Sequence, residues 1–396
     1  MTRHRWAQMY PQVGTGPIET LHCVNRQSFE NERDKIFKQV WLMVGRAEEI
    51  AKAGDYKVKR LDFANTSAII IRGKDNRIRA FHNVCSHRGN KLVVEQGNET
   101  FGSSRAAVVS CRFHGWTFDA TGRLLSVPKE DNFYPCFDKK DNGLTSIHCE
   151  VWAGFIFINL AAEPSQTLTE FLGEYGEIFG DYPYEQMPRA FTYTTELRCN
   201  WKIAVDAFAE AYHVDTIHSG TFPGAKAYFE DIRLFRDHRI AALCATFTLP
   251  PTATAMLSRS FLKASVADNS SKTGLPERIN PGRRQEFVNE LSVLFPSVLL
   301  HVTKDIWFTH QFWPVTESLT RWEGSYHVRE PKTHGELWAM EQAQVIQRNA
   351  WLEDTATMEA THEAIASGAK RYMHLQDDEI LVRHGYHVID RYLAAE

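Results

Sequence analysis

Two short stretches, CSHRG at residues 85–89 and CRFHGW at 111–116, constrain the fold of this chain more than any others. Each sets one cysteine and one histidine beside a glycine where a strand-like run meets a tight turn. Two thiolates and two imidazoles on such turns can bind metal in two ways. Cys85, His87, Cys111 and His114 can hold tetrahedral zinc, or a [2Fe–2S] cluster with both cysteines on one iron and both histidines on the other. Structural zinc sites usually pair like with like, whereas here each turn supplies one ligand of each kind.

The surrounding sequence is rich in strand signals. From Tyr56 to Leu160, runs such as YKVKRLDF, SAIIIRG, IRAFHNV, VVSCRFHGW and the long EVWAGFIFINL alternate with turn residues. They predict an all-β domain over 46–160, with EQGNETFGSSRAA (95–107) as a loop extension between the two Cys/His pairs. Past Ala161 helical periods begin with TLTEFLGEYGEIF, so 161–396 reads as a second domain and 1–45 as an N-terminal helical segment packing on it. Residues 249–284 mix Pro, Gly, Ser and charge with little periodicity, a long surface excursion suited to a substrate lid. Strands resume in FPSVLLHVT, DIWFTHQFWPV and RWEGSYHV. The stretch from Gly335 predicts a long last helix that stops at Gly368.

A β module alone needs about a hundred residues, and the rest of the chain carries a second constellation. NWKIAVDAFAEAYHVDTIH (200–218) contains Glu210, His213 and His218, and Asp354 lies on the late helix. Two histidines and a carboxylate form the facial triad of non-haem Fe(II) enzymes, which leaves positions open for dioxygen and substrate. On a regular helix an i, i+5 pair diverges by roughly 140°, so His213 and His218 require a π-type widening or a break, expected near Val214–Thr216. Glu210 and His213, at i, i+3, share a face.

The mixed C-x-H and C-x-x-H order resembles the Rieske iron–sulfur motif. Together with the NWK entry, the acid-x-x-His-x₄-His run and an Asp five residues before Glu359, it makes the chain resemble, over nearly its whole length, the α subunit of Rieske non-haem iron (aromatic-ring-hydroxylating) oxygenases. The resemblance implies an α+β protein: an all-β Rieske [2Fe–2S] domain followed by a helix-grip-like catalytic domain, an antiparallel sheet packed with helices. It assigns the cluster to Cys85, His87, Cys111 and His114, and a mononuclear Fe(II) to His213, His218 and Asp354, with Glu353 and Glu359 as rival third ligands. Neither cluster turn has the extra cysteine of high-potential Rieske proteins, so the cluster resembles the lower-potential kind of bacterial oxygenases. Glu210 stands where the family more often has Asp, and takes by resemblance the bridging role between cluster ligand His114 of one subunit and iron ligand His213 of the next. That arrangement implies a homotrimer, with or without a small β subunit. The resemblance also implies that O2 is consumed with electrons from NAD(P)H. No G-x-G-x-x-G element follows a strand, so a separate flavin reductase, a ferredoxin, or both must deliver them.

Composition limits the partners. A formal net charge of −4 offers no footprint for nucleic acid or an anionic membrane, and no run of about 18 apolar residues is present. Seven scattered cysteines and the absence of a signal-like N-terminus suit the cytoplasm. Asp206, Ala207, Phe208, Phe295, Phe312, Ala350 and Trp351 are the candidate substrate-pocket residues, and their character favours a hydrophobic, aromatic or polycyclic substrate. The alternative is a Rieske monooxygenase that removes N- or O-methyl groups from a small polar substrate. Arg88 and Lys91 can dock an acidic ferredoxin or form structural salt bridges. His22, His82, His148, His238, His384 and His387 are expected to be structural.

Overall fold

The computed structural model describes residues 4–246, 252–253, 255–257 and 275–395. It divides into two compact units, Arg33–Phe171 and a second formed by Met1–Glu32 with Leu172–Glu396.

The first unit is built on a seven-stranded antiparallel sheet. Its spatial order is Leu42–Arg46, Phe155–Asn159, Ser146–Trp152, Ile78–His82, Thr66–Arg72, Asp55–Leu61 and Glu99–Ser103. A smaller sheet joins Val108–Ser110, Thr117–Asp119 and Leu124–Ser126. The unit begins before residue 46 because Leu42–Arg46 pairs with Phe155–Ile158. EVWAGFIFINL is two strands rather than one. Ala153 (φ 48°) and Gly154 (φ 78°) form a two-residue turn that sets Trp152 opposite Phe155. Two successive positive φ values match the right-handed twist of a tight hairpin. The expected loop extension is partly strand as well. Glu99–Ser103 pairs with Asp55–Lys59, and Glu99 holds the buried ammonium groups of Lys57 and Lys59, each at 2.9 Å. Between the layers Val58, Ile69, Phe81, Leu92, Trp116 and Phe118 form the core, and Cys85 and Cys111 belong to it. Each fully buried aliphatic or aromatic side chain there contributes about 1.5–3 kcal/mol.

The second unit holds another seven-stranded antiparallel sheet. Its order is Arg189–Leu197, Leu319–Val328, Ile306–Thr316, Val298–Val302, Phe287–Leu294, Arg239–Thr246 and Lys226–Leu234. The helix Trp201–Phe208 packs on strand Ile306–Thr316 and on the helix His334–Ala366. Asn200 caps the first of these by accepting from the Lys202 N–H at 3.1 Å. Thr333 caps the second by accepting from the Glu336 N–H at 3.1 Å, and Gly368 (φ 75°) follows its end. The N-terminal residues belong to this unit. Asp377 accepts from the N–H groups of Trp6 and Ala7, each at 2.9 Å, and Ile18–Glu19 pairs with Tyr372–Met373. Most of the expected lid, 249–284, lies outside the described residues; its described end, 275–284, contains no helix or strand. Among the described residues no helix is long and apolar enough to cross a membrane.

Candidate metal centres

The two Cys/His turns have the same internal hydrogen bonds. Cys85 N–H donates to Asn90 O at 2.8 Å and Gly89 N–H to Cys85 O at 2.9 Å; Cys111 N–H donates to Trp116 O at 2.8 Å and Gly115 N–H to Cys111 O at 2.9 Å. Gly89 (φ 75°) and Gly115 (φ 76°) supply the left-handed corner that each turn needs. The result is two buried thiols backed by the core and two imidazoles whose Nδ1 atoms face each other at 3.2 Å. Trp116 stacks on His87 with ring centroids 4.8 Å apart. Burial pushes the Cys85 thiol up to about 11. Burial acts in the same sense on Cys111, but N–H groups of the turn and the Asn90 amide outweigh it and hold that thiol below its ordinary value. Backbone donors aimed at sulfur and two convergent imidazole nitrogens suit a group with negative sulfurs on one side and a cation on the other, so the four residues fit a [2Fe–2S] cluster. Of the neighbouring cations, Lys91 pairs with Glu95 at 2.7 Å and Arg88 lies 5.7 Å from the Phe113 ring.

In the second unit the helix ends at Phe208, and a separate short helix, Val214–Ile217, lies between His213 and His218. The break expected near Val214–Thr216 comes earlier and does not separate the two histidines. His213 is already helical (φ −70°, ψ −25°), and its carbonyl accepts from the Thr216 and Ile217 N–H groups at 2.9 and 3.0 Å, so the gap lies between Phe208 and His213. Glu210 sits in the gap, where its carboxylate accepts from the Tyr212 and His213 N–H groups and contacts His213 Nδ1. These contacts replace the helical hydrogen bonds that the break removes. His218 Nδ1 is 2.8 Å from Glu353 Oε2, and Glu353 Oε1 accepts from the Thr221 hydroxyl at 2.8 Å. With each Nδ1 engaged by a glutamate, the two Nε2 atoms converge on Asp354 Oδ1, at 3.5 Å from His213 and 3.3 Å from His218. All three donor atoms lie within 4.8 Å of one another. Asp354 is 2% exposed. Burial raises its pKa against the pull of the two histidines, and Oδ1 has no hydrogen-bond partner among the described residues. Burial also opposes protonation of His218, yet Asp354 and Glu353 outweigh it and raise its pKa. A buried carboxylate with two oriented imidazoles fits one divalent ion of the 2-His-1-carboxylate kind. Glu353 orients a histidine, and Glu359 is engaged elsewhere, paired with Arg198 at 2.9 Å.

A cavity of about 170 Å³ opens beside the three donors. Of the residues expected to line it, Phe208, Ala350 and Trp351 do. Asp206 and Phe295 line a different, much smaller cavity, where Asp206 accepts from the Tyr386 hydroxyl at 2.9 Å. Two residues along a helix from Phe208 is about 200° around it, which points Asp206 away. Ala207 is not among the lining residues, and the fully buried Phe312 lies behind Phe208, with ring centroids 5.8 Å apart. Sequence reasoning missed Phe222, Phe308, His301 and His310. The last two are buried strand histidines that burial holds neutral, His301 pushed down to about 3 and His310 well below its ordinary value. Their signal was a single histidine inside each of two adjacent, largely apolar strands, VLLHV and IWFTHQFWPVT. His148, His238 and His384 are structural, each bonded to a backbone group.

Residues 40–146 match the Rieske [2Fe-2S] domain family, and residues 184–395 match the ring hydroxylating alpha subunit (catalytic domain) family. The carnitine monooxygenase oxygenase subunit of Acinetobacter pittii is 34% identical over 197 residues, 49% of this chain and 50% of that protein. The 2-aminobenzenesulfonate 2,3-dioxygenase subunit alpha of Alcaligenes sp is 34% identical over 193 residues, 48% of this chain and 46% of that protein. The chain spans about half the length of the curated relatives it matches. A solved structure of the quaternary ammonium Rieske monooxygenase CntA shares the fold, with a TM-score of 0.75 at 20% identity over 96% of this chain and 97% of that one. The catalytic-domain match alone exceeds half of the sequence, and the chain belongs to the α subunits of the Rieske ring-hydroxylating oxygenases.

Proposed function

We propose that the chain is the terminal oxygenase component of a Rieske system. It oxygenates a small, largely apolar, aromatic or polycyclic molecule with electrons drawn from NAD(P)H through a separate reductase, with or without a ferredoxin. The observation that carries this reading is the convergence of His213 Nε2, His218 Nε2 and Asp354 Oδ1 at the edge of an apolar cavity. When bound, the cluster and the ferrous ion supply single electrons and dioxygen chemistry.

The work of the chain itself is geometric. Glu210 and Glu353 fix the two imidazoles so that each presents Nε2, and Asp354 adds the negative charge. Three donors from one side leave the opposite positions to the cavity. Phe208, Phe222, Phe308 and Trp351 give that cavity flat apolar walls that hold a ring and keep water out. The Glu210 side chain is 13% exposed, and its free lone pairs are the ones that the family role assigns to His114 of a neighbouring copy in a homotrimer.

A second reading, oxidative attack on an N-methylated substrate, is favoured by relatives named carnitine and glycine betaine monooxygenase, the latter from Pseudomonas aeruginosa at 31% identity. The aromatic walls would receive a quaternary ammonium. No lysine or arginine among the described residues lines the cavity to pair with the carboxylate of such zwitterions, which favours the first reading. The test incubates purified protein with reductase, NADH and a panel of aromatic compounds beside carnitine and glycine betaine, and identifies products by mass. Oxygenated aromatic products support the proposal. Products from the ammonium compounds alone support the second reading, and no O2-dependent product from any compound contradicts both.

A further inference from the structure

The cavity that lines the metal donors also contains two imidazoles whose hydrogen bonding is half complete. His310 is fully buried, and its Nδ1 accepts from the indole N–H of Trp322 at 3.1 Å. An indole nitrogen only donates, so the proton of neutral His310 sits on Nε2. His301 is 5% exposed, and its Nδ1 lies 3.1 Å from Asn289 Oδ1. A carbonyl oxygen only accepts, so the proton of neutral His301 sits on Nδ1 and its Nε2 carries a lone pair. Neither Nε2 has a partner among the described residues. One imidazole thus has a spare donor and the other a spare acceptor.

Both rings are clamped. His310 stacks on Phe208 at 4.4 Å and meets Trp351 edge-on at 4.7 Å; His301 stacks on Phe308 at 4.3 Å. The two rings stand nearly perpendicular, at 82°, with centroids 5.6 Å apart. Both rings line the same cavity, so one substituent entering between them can meet both. Burial keeps both imidazoles neutral, so this end of the cavity presents no charge to an anion. Buried polar groups left unpaired are costly, and a ligand that completes them is selected over one that does not.

We propose that His301 and His310 form a recognition site for a substituent that both donates and accepts a hydrogen bond, a hydroxyl or an amine carried by the otherwise apolar substrate. This rests on the oxygenase reading and narrows its substrate class. A hydroxyl accepts from His310 Nε2–H and donates to His301 Nε2. A methyl ether completes only the first bond, and a plain hydrocarbon neither.

The test is calorimetric binding of 1-naphthol, 1-methoxynaphthalene and naphthalene to the oxygenase loaded with cluster and iron. It needs no turnover, so a failed ranking is separate from a failed oxygenase, which is read from products. The expected result is 1-naphthol binding at least tenfold tighter than 1-methoxynaphthalene. The ratio should fall to within twofold in His301→Phe, which keeps a ring on Phe308 and removes the acceptor. His310→Phe removes the donor but orphans the Trp322 N–H; if it does not fold, the wild-type ranking and His301→Phe decide. Three ligands binding within twofold of one another, a ranking unchanged in His301→Phe, or no binding by any of the three would overturn the proposal.

Discussion

Nδ1 of His218 lies 2.8 Å from Oε2 of Glu353, while Nε2 of the same ring lies 3.3 Å from Oδ1 of Asp354. Two carboxylates adjacent in sequence hold opposite edges of one imidazole. They can do so because neighbours on a helix point about 100° apart. The division of labour predicts a graded response. Asp354→Ala should abolish binding of the mononuclear iron, whereas Glu353→Ala should weaken it about 10–100-fold by freeing the ring to turn. Iron titration of cluster-replete protein checks this, and equal effects from the two variants would contradict it.

The two cluster turns should differ in their tolerance of a methyl group. A Cβ on Gly89 would meet nothing within 4 Å, so Gly89→Ala should cost only the left-handed penalty, about 1–2 kcal/mol. A Cβ on Gly115 would lie 3.1 Å from Pro128 Cγ, and Gly115→Ala should cost more. Thermal midpoints of the two variants give the order, and the reverse order would be inconsistent with this geometry.

Trp351 is 4% exposed and packs against Tyr193, Phe308, His310 and Trp322. Trp351→Ala should change the product profile, leave the visible spectrum of the cluster intact and destabilise the catalytic unit by about 3–5 kcal/mol. Unchanged products would remove Trp351 from the substrate wall.

The neutral, buried His301 has a consequence for acid stability. Burial brings its pKa down to about 3, while an unfolded histidine titrates near 6.5. Between those values the unfolded chain binds the extra proton. The contribution of this site to stability is therefore complete above pH 6.5 and is lost as pH falls toward 3, at about 1.4 kcal/mol per pH unit. In His301→Phe, urea midpoints should fall less steeply between pH 6 and pH 4 than in the wild type.

The grouping of both candidate ligand sets was legible in the sequence because ligand chemistry demands particular residue types at short spacings. Cys85, His87, Cys111 and His114 meet at paired turns, and Asp354 joins His213 and His218 across 136 positions of sequence. The long helix was legible too, through the good helix formers that follow Gly335 and its Gly368 stop; its Thr333 cap was not. The hairpin inside EVWAGFIFINL was hidden because its turn uses alanine at positive φ, where glycine or asparagine would have announced it. The position of the helix break depended on Glu210 capping the gap with its own side chain, which no periodicity encodes. Four of the seven expected pocket residues miss the cavity because a single sequence does not say which side of a helix or strand faces an opening rather than the core.

The central claim is that Glu210 serves both metal centres, as a positioning group for His213 and as the link to the cluster. The most direct measurement is single-turnover oxidation of the pre-reduced cluster by O2 in substrate-bound protein, comparing wild type with Glu210→Gln at matched iron content and cluster spectrum. The account predicts that the variant's cluster can still be reduced by the reductase but is reoxidised at least 100-fold more slowly, with no oxygenated product. Reoxidation and product formation at the wild-type rate would contradict it.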